Sequence, residues 1–92
     1  APKALLLSGL SYMQNSQYHE AAKVFSLLEK TYKNDIDIRA QGMYRLGDAC
    51  LKGGNNAGAY QAWKQLTWDY PETKWAQVAR GKLQDDMFEG ME

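Results

Sequence analysis

The sequence predicts an all-α fold, an α-solenoid of five antiparallel helices made of two helix-turn-helix repeats and a C-terminal capping helix. In each of five segments, apolar residues recur at the three- and four-residue spacing of a helix face, and Gly, Asn or Pro separates the segments. The same apolar pattern also occurs twice with a constant offset, which is typical of repeat architectures.

The clearer copy of the repeat has Gly47 in its first helix and Ala59 and Trp63 in its second, with Pro71 after the end. Two helices can approach closely where the small residues 47 and 59 face each other, and the large ring then fills the space beneath them. In the other copy the equivalent residues stand 38 positions earlier (47 − 9, 59 − 21 and 63 − 25): Leu5, Gly9, Tyr12, Ala21 and Phe25 precede Met43, Gly47, Cys50, Ala59 and Trp63.

The first repeat is assigned to residues 2–34, with helices predicted over 2–14 and about 18–32. Pro2 is compatible with a helix start, because the N–H that proline lacks has no partner in a first turn. The first helix has a wider apolar surface than one packed face requires. Asn15 and Ser16 form the turn, and either side chain could cap the second helix.

The second repeat is assigned to residues 36–71. Its first helix is predicted over about 38–52, preceded by carboxylates that suit a helix N-terminus and ended by the two glycines at 53 and 54. Asn55 or Asn56 caps the next helix. That helix continues to about Asp69, because Pro71 forbids further helix.

The capping helix is predicted over about 74–88, within residues 73–89, with Thr73 as its cap. Residues 75–84 align with residues 38–47 at an offset of 37 (84 − 47), so this helix is a third, partial copy. Its far side is polar, as the last helix of a helical array requires. Four apolar residues are expected to pack on the fourth helix, namely Trp75, Val78, Ala79 and Leu83.

Composition and charge exclude several classes of function. Ninety-two residues suit one domain, and eleven basic residues balance eleven acidic ones, so no net field attracts nucleic acid or anionic lipid. No stretch has the roughly 20 apolar residues that span a bilayer, and we expect no membrane insertion. The chain begins with Ala1 rather than Met, and we interpret it as a piece of a longer protein. Four acids form a solvated end: Asp85, Asp86, Glu89 and Glu92.

Few residues are candidates for catalysis or metal binding. His19 and Cys50 are the strong metal-ligand types, and they fall in different helices without ligand spacing. Cys50 also occupies a core position of the repeat, where a thiol is inert. A single cysteine forms no internal disulfide. We therefore expect no catalytic residue, no metal and no cofactor.

The order of Leu-Gly at 46–47, an apolar residue at 50, Ala59, Trp63 and Pro71 resembles the tetratricopeptide repeat, over residues 5 to 83. Met43 and Cys50 stand where Trp and Tyr are usual. The period of 38 exceeds the usual value of about 34. The segments YRLG (44–47) and YPETKWAQVA (70–79) are similar to a long-period variant found in bacterial envelope proteins, such as Tol–Pal-associated periplasmic proteins and lipoproteins of outer-membrane assembly. This similarity implies a location in the periplasm or cell envelope.

The resemblance implies a binding scaffold that is not an enzyme and whose first helices line a concave groove for a protein or peptide. Some members clamp a terminal carboxylate with Lys and Asn at groove positions, but Leu6 and Leu10 stand there and donate no hydrogen bond. We therefore expect an apolar segment or helix as ligand. The resemblance places the partner-binding residues Leu6, Leu10, Met13, Tyr44, Arg45 and Asp48 in this groove, beside Gln14, Gln41 and Lys52.

A second interpretation stays open. The chain would be a structural or oligomerisation segment of a longer array, with its groove filled by the rest of its own chain or by a second copy. Solvent access to Leu6, Leu10 and Tyr44 distinguishes the two interpretations. Trp68 is not explained by the repeat, because Lys30 holds the equivalent upstream position (68 − 38). We expect Trp68 to lie under the fifth helix or under a neighbouring domain, rather than at a partner surface.

Overall fold

The computed structural model describes residues 2–32, 34–85 and 88–90. Within them the chain forms five helices, α1 (Pro2–Gln14), α2 (Tyr18–Thr31), α3 (Ile36–Lys52), α4 (Asn56–Asp69) and α5 (Lys74–Leu83), and these residues contain no strand. The predicted all-α solenoid of five helices is confirmed. Ala1, Asp86 and Glu92 lie outside the described residues.

The helices pack as a slab of two layers. Each helix packs against the next one along the chain, and in addition α1 contacts α3 and α3 contacts α5. The side formed by α1, α3 and α5 is called the concave face, and the side formed by α2 and α4 the convex face. The molecule measures 37 × 29 × 16 Å along its principal axes. In the part of the chain that is described, no helix combines the length and the apolar character needed to cross a membrane.

Both repeats are held together by contact between a glycine of the first helix and an aromatic ring of the second. A Cβ built on Gly9 would lie 2.7 Å from Phe25 Cζ, and one built on Gly47 would lie 2.7 Å from Trp63 Cδ1. Both rings are fully buried. Because interiors are close-packed, neither position has room for a larger side chain. The close approach expected at Gly47 is therefore present, and it recurs 38 positions upstream.

The buried residues form two main clusters. Trp63 belongs to the larger one, and its Nε1 donates a hydrogen bond to the carbonyl of Tyr44 at 3.1 Å, which ties α4 to α3. The smaller cluster comprises Ala21, Phe25 and Ala49. The larger cluster comprises Ala40, Met43, Ala59, Trp63, Leu66, Ala76, Ala79 and Phe88.

The turns inside the two repeats have the same backbone conformation. Ser16 and Gly54, which are 38 positions apart, both adopt left-handed φ values, 60° and 88°. In each turn the N–H of the following residue donates to the carbonyl five positions before it, at 2.8 Å in the first repeat and 2.7 Å in the second. This bond closes a Schellman motif, which satisfies a carbonyl at the end of the first helix.

Side chains cap the starts of three helices, two of them at residues that the sequence predicts as caps. Asn55 caps α4 and Thr73 caps α5, each accepting the N–H three residues further on, at 2.9 and 3.2 Å. Asp35 does the same for α3 at 3.1 Å, and that helix starts at Ile36, two residues earlier than predicted.

The predicted cap of α2 is wrong. Gln17 is the residue that precedes the helix, and its side chain makes no capping bond. Asn15 and Ser16 are excluded from that position, because both belong to the turn that closes α1 and Ser16 has the left-handed conformation.

The end of the chain differs from the prediction in two respects. Helix α5 ends at Leu83 rather than at about Phe88, and Phe88 turns back to pack its ring 5.7 Å from that of Trp63, at 81°. Val78, expected on α4, is 44% exposed. Ala76 and Ala79 are fully buried, and these small side chains allow α5 to approach α4 closely.

Candidate functional site

The predicted partner-binding residues of α1 line one end of the concave face. Leu6, Leu10 and Met13 are half-buried and pack against the smaller cluster, which contains Phe25. They therefore hold α1 against its neighbours, and the part of each side chain that stays exposed adds apolar surface to the concave face. Leu7, next to them on α1, is 55% exposed.

Three aromatic rings, those of Trp63, Tyr44 and Trp75, form a row called the aromatic ladder, with Tyr44 in the middle. The Tyr44 ring stacks on Trp63 at 6.0 Å between centroids and 22° between planes. The Trp75 ring of α5 lies 5.5 Å from the Tyr44 ring at 32°. Tyr44 and Trp75 are both half-buried, so the ladder joins the core to the surface.

Trp75 is the residue of this site that the sequence reasoning missed. The sequence predicts that Trp75 packs on α4, and it does pack against the larger cluster, which contains Trp63 of that helix. Its ring also lies against Tyr44 of α3, and this contact brings it into the site. The third, partial copy of the repeat carries the signal that could have found it. That copy makes α5 the first helix of a pair, and first helices line the concave face.

Two cations flank the ladder. The Arg45 guanidinium carbon lies 5.9 Å from the Tyr44 ring centroid and 5.5 Å from that of Trp75. Lys74 Nζ lies 5.0 Å from the Trp75 centroid. Such contacts contribute about 0.5–1 kcal/mol each at exposed sites. Arg45 Nε is buried and has no hydrogen-bond partner among the described residues, so Arg45 is positioned mainly by the rings.

Asp48 and Lys52 form the ion pair that their four-residue spacing predicts. Lys52 Nζ lies 3.6 Å from Asp48 Oδ2, and the lysine side chain is 54% exposed. Exposed pairs of this kind contribute only about 0.3–0.5 kcal/mol, so a partner can replace either group. Gln41 lies one turn before Tyr44, in a shallow depression between the first turns of α3 and α5 that Trp75 also lines.

Cys50 is half-buried beside the larger cluster, and burial raises the pKa of its thiol above the ordinary value. The thiol therefore stays protonated at neutral pH, which makes it a poor nucleophile. Within residues 2–32, 34–85 and 88–90, no group of three or more His, Cys, Asp or Glu side chains is placed to hold a metal ion.

Trp68 lies on the convex face and is 85% exposed. The expectation that it lies under α5 is wrong, because α5 packs on the side of α4 that carries Trp63 and Leu66. Trp68 lies instead along an open depression on the outer surface of α4, with Tyr60 and Lys64.

Two stacked helix pairs with the same glycine–aromatic contact, followed by a further helix, define the class of helical-repeat scaffolds. The model of the tetratricopeptide repeat family matches residues 3–35 and 41–73. The chain belongs to the tetratricopeptide repeat family, whose repeats generally mediate protein–protein interaction. No curated protein matches the chain.

Proposed function

We propose that the chain is an interaction scaffold, with no catalysis of its own, that binds an apolar peptide or helix of a protein partner on its concave face. The observation that carries the proposal is the half-buried pair of Tyr44 and Trp75 with Arg45 beside it, on the face that also presents Leu6 and Leu10. Aromatic and arginine side chains are enriched among residues that dominate binding energy. Arg45 sets the direction of the bound segment by pairing with one end of it.

We place this scaffold in a bacterial cell-envelope assembly, in the periplasm. The support is the similarity of residues 44–47 and 70–79 to the repeats of envelope proteins. We further propose that the chain is a single domain in which repeats of about 2–34 and 36–71 precede a capping helix at about 73–89.

A second candidate function is a structural segment of a longer array, whose groove its own chain fills. Two observations favour it: Leu7 on α1 and Val78 on α5 are exposed by 55% and 44%. Apolar residues on the first and last helices are typical of places where further repeats stack.

Capture from an extract of the source organism tests the proposal. The immobilised chain should retain a partner, and the double variant Leu10→Ser, Tyr44→Ala should lose it. Because Tyr44 also stacks on Trp63, circular dichroism must show that the variant remains helical at the assay temperature. Arg45→Glu is a second test variant and should also lose the partner, because the reversed charge beside the rings repels the end of the bound segment that pairs with Arg45. Undiminished capture by both variants would place the site elsewhere.

The identity of the captured protein separates the two candidates. A scaffold retains a separate polypeptide, whereas an array segment retains only pieces of its own parent protein. Mass spectrometry of the retained material gives this answer directly. Trp68→Ala, an exposed change on the convex face, is the matched control and should capture the partner as the wild type does.

A further inference from the structure

The aromatic ring in the second helix of each repeat is covered in two different ways. In the first repeat, Ala49 in the last turn of α3 packs in the same buried cluster as the ring of Phe25. One repeat further on, α5 ends at Leu83, before the equivalent of Ala49 is reached (49 + 37 = 86). The corresponding cover for Trp63 therefore comes from a part of the chain beyond the helix.

Phe88 supplies that cover. Its ring lies 5.7 Å from the Trp63 ring at 81°, an edge-to-face arrangement, and 6.0 Å from the Tyr60 ring at 38°. Phe88 is 2% exposed, whereas the two residues that follow it are exposed. Its backbone N–H donates to the carbonyl of Asp85 at 3.0 Å, a bond within the C-terminal segment itself. The side chain of Phe88 therefore connects this segment to α4.

Trp63 connects Phe88 to the concave face. Its indole stacks on the Tyr44 ring at 22°, and its Nε1 donates to the Tyr44 carbonyl at 3.1 Å. Tyr44 in turn contacts Trp75, and Arg45 lies over both of these rings. Within the described residues, no ring contact joins Phe88 to Tyr44 directly. Any influence of Phe88 on the ladder therefore passes through the indole.

The position of the indole depends on Phe88 because the indole is confined on the side of Gly47. A Cβ built on Gly47 would lie 2.7 Å from Trp63 Cδ1, so the indole has no room to move in that direction. Removal of the Phe88 ring would leave a cavity beside the indole, and side chains relax partly into such a space. The indole would then move toward the vacated side, which changes its stacking on Tyr44.

We propose that Phe88 is a positioning residue for the concave face. It holds Trp63, and through Trp63 the ring of Tyr44 and the guanidinium of Arg45, in the arrangement that receives the bound segment. The inference rests on the proposed scaffold function, because it concerns affinity at the same face. Coupling between two sites is reciprocal, so a bound partner also strengthens the packing of Phe88 on Trp63.

The NMR resonances of the Tyr44 ring, assigned with Tyr44→Phe, test the positioning without a partner. The neighbouring indoles shift these resonances away from the values of free tyrosine. Phe88→Ala should move them toward those values. Phe88→Leu returns apolar volume to the same place and should move them less, and it answers the same question if Phe88→Ala does not fold.

Leu28→Ala is the matched control for a loss of stability. Leu28 is 1% exposed, lies in α2 and belongs to neither of the two clusters. Its truncation should destabilise the fold through a cavity and leave the Tyr44 resonances in place. The spectra are compared at a temperature where far-UV circular dichroism shows each variant fully helical.

The affinity for the protein that the wild-type chain retains from the extract tests the consequence. Phe88→Ala should raise its dissociation constant about tenfold, and Leu28→Ala should leave it unchanged. If the wild type retains no protein, the scaffold function fails, and the Tyr44 resonances still decide whether Phe88 positions the ladder. Tyr44 resonances that are the same in Phe88→Ala and in the wild type would overturn the inference. Displaced resonances with an unchanged dissociation constant would also overturn it.

Discussion

Gly47 determines how closely α3 and α4 approach. In an exposed helix interior, glycine is about 1 kcal/mol less favourable than alanine. Here an added Cβ would meet the indole of Trp63, 2.7 Å from Cδ1. The indole cannot move aside freely, since its Nε1 donates to the Tyr44 carbonyl and Phe88 packs edge-on against it. The packing therefore outweighs the helix propensity at this position.

We predict that Gly47→Leu destabilises the fold by about 1–3 kcal/mol through overpacking, and that Gly47→Ala destabilises it in the same direction. Gly81 in α5 is the matched control, because a Cβ there would meet nothing within 4 Å. Gly81→Ala should stabilise by about 0.5–1 kcal/mol. Urea denaturation measures all three changes. A higher denaturation midpoint for Gly47→Ala would show that the assigned contact is wrong.

The tryptophans at 63 and 68 provide a second comparison between buried and exposed positions. Trp63→Ala should lower the free energy of unfolding by about 3–5 kcal/mol, because it leaves a cavity in the larger cluster. It also removes the donor to the Tyr44 carbonyl. Trp68→Ala should change it by less than about 0.5 kcal/mol, because Trp68 is 85% exposed. Thermal melting at low protein concentration measures both. Similar losses for the two variants would contradict the assigned burial.

At the scale of the elements, the two repeat turns share a backbone conformation but differ in the residue that adopts it. Ser16 and Gly54 both have positive φ, which is strained for serine and unstrained for glycine. We predict that Ser16→Gly stabilises the fold by about 0.5–1 kcal/mol and that Gly54→Ser destabilises it by about 1 kcal/mol or more. Chemical denaturation of the two variants should give opposite shifts. A loss of stability in Ser16→Gly would argue against the shared motif.

The helix starts and ends show which structural signals are local. Asn55 and Thr73 were predicted as caps because the bond spans only three residues of sequence. The end of α5 is not predicted correctly. It depends on the contact between Phe88 and the ring of Trp63, which are 25 residues apart in the sequence (88 − 63). Helical periodicity contains no information about such a contact, and for that reason the sequence predicts a longer α5 than the structure has.

At the scale of the whole molecule, the constant offset is sufficient to predict how the two helices of each repeat pack together. It relates Gly9 to Gly47 and Phe25 to Trp63, and these contacts define the packing inside each repeat. The site was predicted less completely. The position of Tyr44 follows from the repeat, but the contribution of Trp75 depends on how α5 lies against α3. That arrangement is determined by the stacking of several helices, and it cannot be inferred from the sequence of one helix.

Site-specific photo-crosslinking tests the central claim, that the concave face binds the partner, most directly. A photo-reactive amino acid would replace Gln41, on α3 beside the depression that Trp75 lines, and in a second protein Gln61, on the convex face of α4. After irradiation in an extract of the source organism, the Gln41 position should give an adduct with a separate protein. The Gln61 position should give none. A partner adduct at Gln61 together with none at Gln41 would contradict the account.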